Sequence, residues 1–299
     1  MSNLPDNWKL SGVSIPGTHN TATNQKWSKC NTILDYCCQC QKWTIMEQLD
    51  QGIRFLDLRP AYDEKYNEIY LWHGHIDLGW LTLDDTLSIV SKFLSLAPKE
   101  TVIINFNCQW GEKFCGNDFV RKFDDILQKY ENISQIFPVK PGDQSSPRLH
   151  EVRGKIVLFF KQYLDGIKSI REWNYKTMEN TWEFEDWDAY YLRLVSNIRE
   201  AMADNNGPLN KPECAQDTFY LTWLSANNCF ARGGAWPSRI ARFINSWMKR
   251  DLLGELGGEQ GKWGIIIMDF PTNSLVHTIV HRNLGLMKNQ SHVGCEPQK

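Results

Sequence analysis

The sequence predicts an α/β chain folded as a distorted (β/α) barrel of the TIM type. Two features point there. Short apolar runs recur along the 299 residues, separated by longer stretches of helical periodicity. Several runs, among them Val102-Ile103-Ile104 and Gly264-Ile265-Ile266-Ile267-Met268, are continuous rather than alternating, as in strands buried on both faces of a parallel sheet. About seven strands alternating with helices fit a barrel or a doubly wound sheet. No internal repeat and no linker-like segment breaks the chain, so residues 1–299 are read as a single domain.

The expected strands are Gly12 to Pro16, Ile53 to Leu58, Ile69 to Trp72, Thr101 to Phe106, Lys155 to Phe160, Phe219 to Leu224 and Trp263 to Phe270. Leu83, Leu87, Val90, Phe93 and Leu94 form a helical stripe over Leu83 to Leu96. Phe119 to Tyr130, Tyr190 to Met202 and Ile240 to Leu253 read the same way, the last with Ser238 as its expected cap. Between Ile53 and Trp72 there is no room for a helix, so a polar turn over Ala61 to Glu68 should join the second and third strands, a defect in an ideal barrel.

Hydrophobic residues make up 42% of the chain and charged residues 23%, enough for a real core. Lys plus Arg number 33 and Asp plus Glu 35, a net charge of −2, which argues against nucleic-acid binding through bulk charge. Thirteen Trp residues are many for a core this size and suggest a ligand site or a membrane interface. No apolar run is long enough to span a bilayer, and Met1 to Asp6 does not read as a signal peptide. The chain is expected to be cytoplasmic or a secreted mature chain, touching membranes peripherally, and monomeric. The cysteine count, nine, is odd, and Cys30, Cys37, Cys38 and Cys40 crowd together without two CxxC pairs. Zinc ligation is therefore weakly indicated, and plain thiols, acylation or disulfides stay open.

In a barrel the strands' C-terminal ends carry the chemistry. The first expected strand runs into Ser14-Ile15-Pro16-Gly17-Thr18-His19-Asn20, the second into Asp57-Leu58-Arg59, the third into Trp72-His73-Gly74-His75 and the last into Met268-Asp269-Phe270. Strand alternation puts Ile53, Phe55, Asp57 and Arg59 on one face. Two imidazoles, a guanidinium and two carboxylates converging on one mouth suit acid–base chemistry at a phosphate. Taken singly, each has a plainer reading: Asp57 with Arg59 as a structural ion pair, His73 with His75 as metal ligands, His277 and His281 as surface residues.

The segments Ser14-Ile15-Pro16-Gly17-Thr18-His19, Gly52-Ile53-Arg54-Phe55-Leu56-Asp57-Leu58-Arg59, Trp72-His73-Gly74, Arg153-Gly154-Lys155-Ile156-Val157 and Met268-Asp269-Phe270 resemble, in order, the phosphatidylinositol-specific phospholipase C X-domain family. The resemblance covers about residues 10–275. It implies a phosphoric diester lyase acting on inositol phospholipid in a membrane surface, releasing diacylglycerol and inositol 1,2-cyclic phosphate. It implies His19 as general base, Asp269 as the carboxylate orienting it, His73 as general acid, and Arg59 beside the phosphate where calcium-using relatives hold a metal. Asp57 would position Arg59 or His73. No metal and no cofactor are expected.

The chain departs from the family's pattern at Asn20, where an aspartate assisting the general acid is usual. Asn107, Lys161 and Trp182 fall near headgroup-contacting positions, so the preferred headgroup, phosphatidylinositol or glycosylphosphatidylinositol, stays open. Trp27, Trp43 and Trp236 are candidate membrane anchors. The rival readings are a metal-dependent glycerophosphodiesterase or phospholipase D-like barrel, and a lipid-binding pseudo-enzyme.

Overall fold

A computed structural model describes residues 1–24, 38–73, 76–107, 116–138, 143–160, 173–178, 186–204, 212, 215–226 and 236–288, with only the backbone of 76–80, 160 and 178. Seven parallel strands make one curled sheet in the order β7-β6-β2-β1-β10-β9-β8. They are β1 (Ile15–Thr18), β2 (Phe55–Leu58), β6 (Val102–Phe106), β7 (Ile156–Phe160), β8 (Tyr175–Met178), β9 (Phe219–Trp223) and β10 (Ile265–Met268). Alternate side chains along these strands sort into two apolar layers. Ile15, Phe55, Ile103, Val157, Leu221 and Ile267 fill the interior. Leu56, Leu58, Ile104, Leu158, Ile266 and Met268 pack outward against helices. That two-sided burial is why the runs are continuous in sequence.

The outer helices are α1 (Ile45–Asp50), α2 (Leu83–Leu96), α3 (Asn117–Asn132), α4 (Leu149–Val152), α5 (Trp187–Ala203), α6 (Pro237–Leu253), α7 (Glu255–Gly258) and α8 (Asn273–Lys288). Capping boxes start two of them, Thr44 with Glu47 for α1 and Thr82 with Asp85 for α2. Helix α6 begins differently from expectation. Pro237 is its first residue and the N-cap, Trp236, makes no side-chain capping bond, so Ser238 lies inside the first turn.

The edge strands β7 and β8 are not hydrogen-bonded to each other. Side chains bridge them instead. The Trp173 indole stacks on Phe159 at 5.1 Å, and its Nε1 donates to the Leu158 carbonyl at 2.7 Å. At Gly17 on β1, a Cβ would come 2.9 Å from that of Phe55, so the glycine lets the Phe55 side chain fit between strands.

Four expectations need correction. The run Ile69 to Trp72 is not a barrel strand. It lies in β4 (Glu68–His73), the middle of a separate antiparallel sheet with β3 (Pro60–Asp63) and β5 (Ile76–Thr82). A short connection can join antiparallel strands only, and Asn67 turns the hairpin at a positive φ of 50°. Conversely β8 was not foreseen; its sequence, Tyr-Lys-Thr-Met, is short and mixed, as suits an edge. The first strand starts later than Gly12, because Leu10–Gly12 form a 3₁₀ turn. Finally, Ile53 precedes β2 and packs in the outer layer, away from Phe55.

Candidate active site at the barrel mouth

Four residues stand one position past a barrel strand: His19 after β1, Arg59 after β2, Asn107 after β6 and Asp269 after β10. His73 is the last residue of β4, so it reaches the cluster from the small sheet. His19, Arg59, His73, Asp57, Asp269, Asn20 and Asn107 are all buried.

His19 is held from both ring nitrogens. Its Nδ1 lies 2.8 Å from Asp269 Oδ1, while Arg59 Nη2 is 2.7 Å and Asn20 Nδ2 3.0 Å from its Nε2. A guanidinium can only donate, so Nε2 accepts and the ring proton sits on Nδ1, donated to Asp269. His19 thus carries an oriented lone pair at Nε2. The His73 ring stands across from it, centroids 6.4 Å apart and nearly perpendicular. Its Nδ1–H donates to the Cys38 carbonyl at 2.7 Å. Burial, and then the charge of Arg59, lowers the His73 pKa to about 3, so the ring is neutral at rest. Trp223, at the end of β9, packs edge-on to His19 at 5.9 Å.

Asp57 sits beneath. Its Oδ2 accepts from the Asn20 backbone N–H at 3.1 Å and lies 3.5 Å from Arg59 Nε, and its Oδ1 accepts from Asn105 Nδ2 at 2.9 Å. Burial pushes the Asp269 carboxyl up, opposed by the thiol of Cys40 and by Arg59.

The residues following the two members of the His19–Asp269 dyad are strained. Asn20 and Phe270 have φ of 43° and 42°, a region asparagine tolerates and phenylalanine rarely enters. Neighbours hold the strain. Phe270 N–H donates to the Cys40 carbonyl at 2.8 Å, and Asn245 Nδ2 from α6 donates to the Asp269 carbonyl at 2.8 Å. Gln41 Nε2 donates to the carbonyls of His19 and Met268, tying the ends of β1 and β10 together.

His19, Arg59, Asp57, His73 and Asp269 therefore meet at one mouth, as the strand-end reading expected. Asn20 differs from expectation: its amide faces His19 and Cys40, and a backbone carbonyl, not Asn20, holds His73. Asn107 is at the same end, its N–H donating to the Leu58 carbonyl at 3.0 Å. Lys161, Trp182 and Trp27 lie outside the described residues, as do Cys30 and Cys37. Trp43 is half-buried against the outer apolar layer, and Trp236 half-buried at the start of α6.

Sequence reasoning missed Asn105, Gln41 and Asn245, and saw Cys40 only as part of a cysteine cluster. Asn105 was reachable, since it shares the inward face of β6 with Ile103. The others act from segments that nothing but the fold brings to the mouth. Among the described residues, His19, Cys40 and Asp269 form the one group of potential metal ligands, with ligand atoms within 4.8 Å of one another.

Comparison with known proteins places the chain in a family. The chain is 25% identical over 286 residues to 1-phosphatidylinositol phosphodiesterase of Listeria monocytogenes, covering 95% of this chain and 84% of that protein. The protein of that name from Staphylococcus aureus (strain Newman) is 24% identical over 257 residues, covering 79% of this chain and 76% of the relative. The solved structure of the phosphatidylinositol-specific phospholipase C from Listeria monocytogenes superposes with a TM-score of 0.76 at 23% identity, over 94% of this chain and 97% of that one. Its fold is the distorted barrel expected here. Residues 13–162, half of the chain, match the X domain of phosphatidylinositol-specific phospholipase C, and the chain belongs to that family.

Proposed function

We propose that the chain is a metal-independent phosphatidylinositol-specific phospholipase C, a phosphoric diester lyase. The observation that carries this reading is the doubly anchored imidazole of His19, with Arg59 donating to its Nε2 and Asp269 accepting from its Nδ1. Nε2 takes the proton of the inositol 2-hydroxyl, and the oxygen attacks the neighbouring phosphorus in an effectively intramolecular step. Arg59 occupies the hydroxyl's place in the absence of substrate and moves onto the phosphate oxygens when the anion enters. There it supplies the charge that a cation would otherwise supply. His73 protonates the departing glycerol oxygen. It is neutral at rest, and the incoming phosphate, partly cancelling Arg59, raises its proton affinity. The products are diacylglycerol and inositol 1,2-cyclic phosphate.

The substrate lies in a membrane, and the mouth has an apolar shoulder to meet it. Trp187 contacts Phe243 at 5.5 Å and Trp247 at 6.0 Å, near the mouth-side starts of α5 and α6. Phe243 is exposed, Trp236 is nearby in the chain, and exposed Arg239 and Arg242 flank them. No described helix is long and apolar enough to cross a membrane. Vesicle partitioning of Trp236→Ala and Phe243→Ala variants tests this shoulder; unchanged binding removes it.

The deciding test is turnover of phosphatidylinositol vesicles in chelator, followed by phosphorus NMR, for the wild type against Arg59→Asp. Cyclic phosphate from the wild type alone is expected. Activity lost in chelator and restored by Mg²⁺ would favour the glycerophosphodiesterase reading, and binding without turnover the pseudo-enzyme.

A further inference from the structure

Cys40 has no part in the reaction proposed above, yet it lies against the dyad that does. Its thiol is fully buried and, with those of His19 and Asp269, its ligand atom belongs to a cluster spanning no more than 4.8 Å. Its position is fixed by the backbone: Cys40 N–H donates to Thr23 Oγ1 at 3.1 Å and its carbonyl accepts from Phe270. The adjoining Asp269 Oδ2 is buried with no hydrogen-bond partner, an acceptor left over in a residue 1% exposed. Cys40 is in the thiol form rather than a disulfide.

We propose that His19, Cys40 and Asp269 form an inhibitory site for a soft divalent cation of the zinc class. Imidazole, thiolate and carboxylate together select Zn²⁺, Co²⁺ or Cd²⁺ over Ca²⁺ and Mg²⁺. Tetrahedral bonds of about 2.0–2.3 Å need ligand atoms roughly 3.5 Å apart, so the widest span closes by about 1 Å. Three protein ligands leave the fourth position to water.

Coordination explains inhibition directly. The metal takes the thiolate, the carboxylate and the lone pair at His19 Nδ1. The thiol proton goes to solvent, the donors Arg59 and Asn20 swing off Nε2, and the ring's single proton moves from Nδ1 to Nε2 by exchange with water. Nε2 then has no lone pair for the inositol hydroxyl. The effect on turnover rests on the proposed reaction; the binding does not.

Two measurements keep those apart. Co²⁺ titrated into the whole chain should give a sulfur-to-metal charge-transfer band that is lost in Cys40→Ser and in Cys40→Ala. Zn²⁺ should inhibit hydrolysis of phosphatidylinositol vesicles by the wild type, chelator should restore the full rate, and Cys40→Ser should need at least about 100-fold more Zn²⁺, the upper end of what losing an outer-shell partner costs. A band that survives both substitutions, the absence of any band in the wild type, or equal inhibition of the Cys40→Ser variant overturns the site. If the chain does not turn over phosphatidylinositol, the proposed function fails while the Co²⁺ band still decides the site. The exposed pair His277 and His281 on α8 is the competing place for the cation, and His281→Ala should change neither readout.

Discussion

The two ends of the barrel use charged residues in opposite ways. At the floor, Arg54 Nε donates to Glu100 at 2.9 Å and its Nη1 to the carbonyls of Leu49 and Ile53. Glu100 also accepts from the Ser2 backbone at 2.8 Å. Arg153 donates to the carbonyls of Met1, Leu4 and Lys99 and to Asp6. At the mouth, Asn20 Oδ1, Gln41 Oε1, Arg59 Nε, Asn245 Oδ1 and Asp269 Oδ2 are buried without hydrogen-bond partners, and two non-glycine residues adopt positive φ. Saturated networks lower the energy of the fold, whereas unpartnered polar atoms and strain persist only where the surrounding structure enforces them. The floor is built for stability and the mouth for a ligand. Arg153 opens one of the segments resembling the family, so part of that resemblance records folding rather than chemistry.

Substitutions should separate the two ends, and the largest effect belongs to the mouth. His19→Ala should lower turnover of phosphatidylinositol by on the order of 10²–10⁴-fold or more while leaving the denaturation midpoint nearly unchanged. A comparable loss of stability would mean that the mouth, too, is structural. At the floor, Glu100→Gln breaks a buried ion pair and should cost about 3–5 kcal/mol in urea unfolding with little change in kcat for the folded enzyme. Gly17→Ala, between the ends, forces a Cβ against Phe55 and should cost about 1–3 kcal/mol.

Acid should unfasten the two ends in different windows. His73 falls from its ordinary 6.5 to about 3 in the fold, so the unfolded chain binds the extra proton and stability drops as pH falls from about 6.5 to about 3. Burial would raise Glu100, but Arg54, the Met1 ammonium and the hydrogen bond from Ser2 together outweigh it and hold the carboxyl well below its ordinary 4.5. Its contribution is therefore intact above about pH 4.5 and is lost further into acid. Urea midpoints against pH for His73→Asn should lose the first slope and keep the second. The smallest effect is at Asn20. Asn20→Asp places a carboxylate beside His19 Nε2, favours the imidazolium and should move the ascending limb of kcat/KM to higher pH by about one unit.

Much of the mouth was legible because strand-end position and strand alternation are local properties. Asp57 and Arg59 share a face, and His19 and Asp269 each follow an apolar run, whatever the rest of the chain does. His73 was found for a partly wrong reason, since its strand belongs to the small sheet. Among the described residues the seven expected barrel strands match the seven observed in number only through two compensating errors, the inclusion of Ile69 to Trp72 and the omission of Tyr175 to Met178. A six-residue hairpin strand and a barrel strand look alike in hydropathy; pairing partners distinguish them, and those are distant in sequence.

From sequence alone came the alternation of apolar runs with amphipathic helices, and with it the barrel, while the resemblance of short segments added the family and the residues proposed for acid–base chemistry. The alternation follows from periodicity and residue type, which neighbouring positions settle among themselves. Tertiary structure alone decided that Arg59 and Asp269 grip opposite nitrogens of one ring, that Asn20 turns to His19 rather than His73, and that Cys40 lies against the dyad. The grip on His19 and the approach of Cys40 depend on contacts between segments up to 250 residues apart, which form only when the curled sheet brings them within a few ångströms.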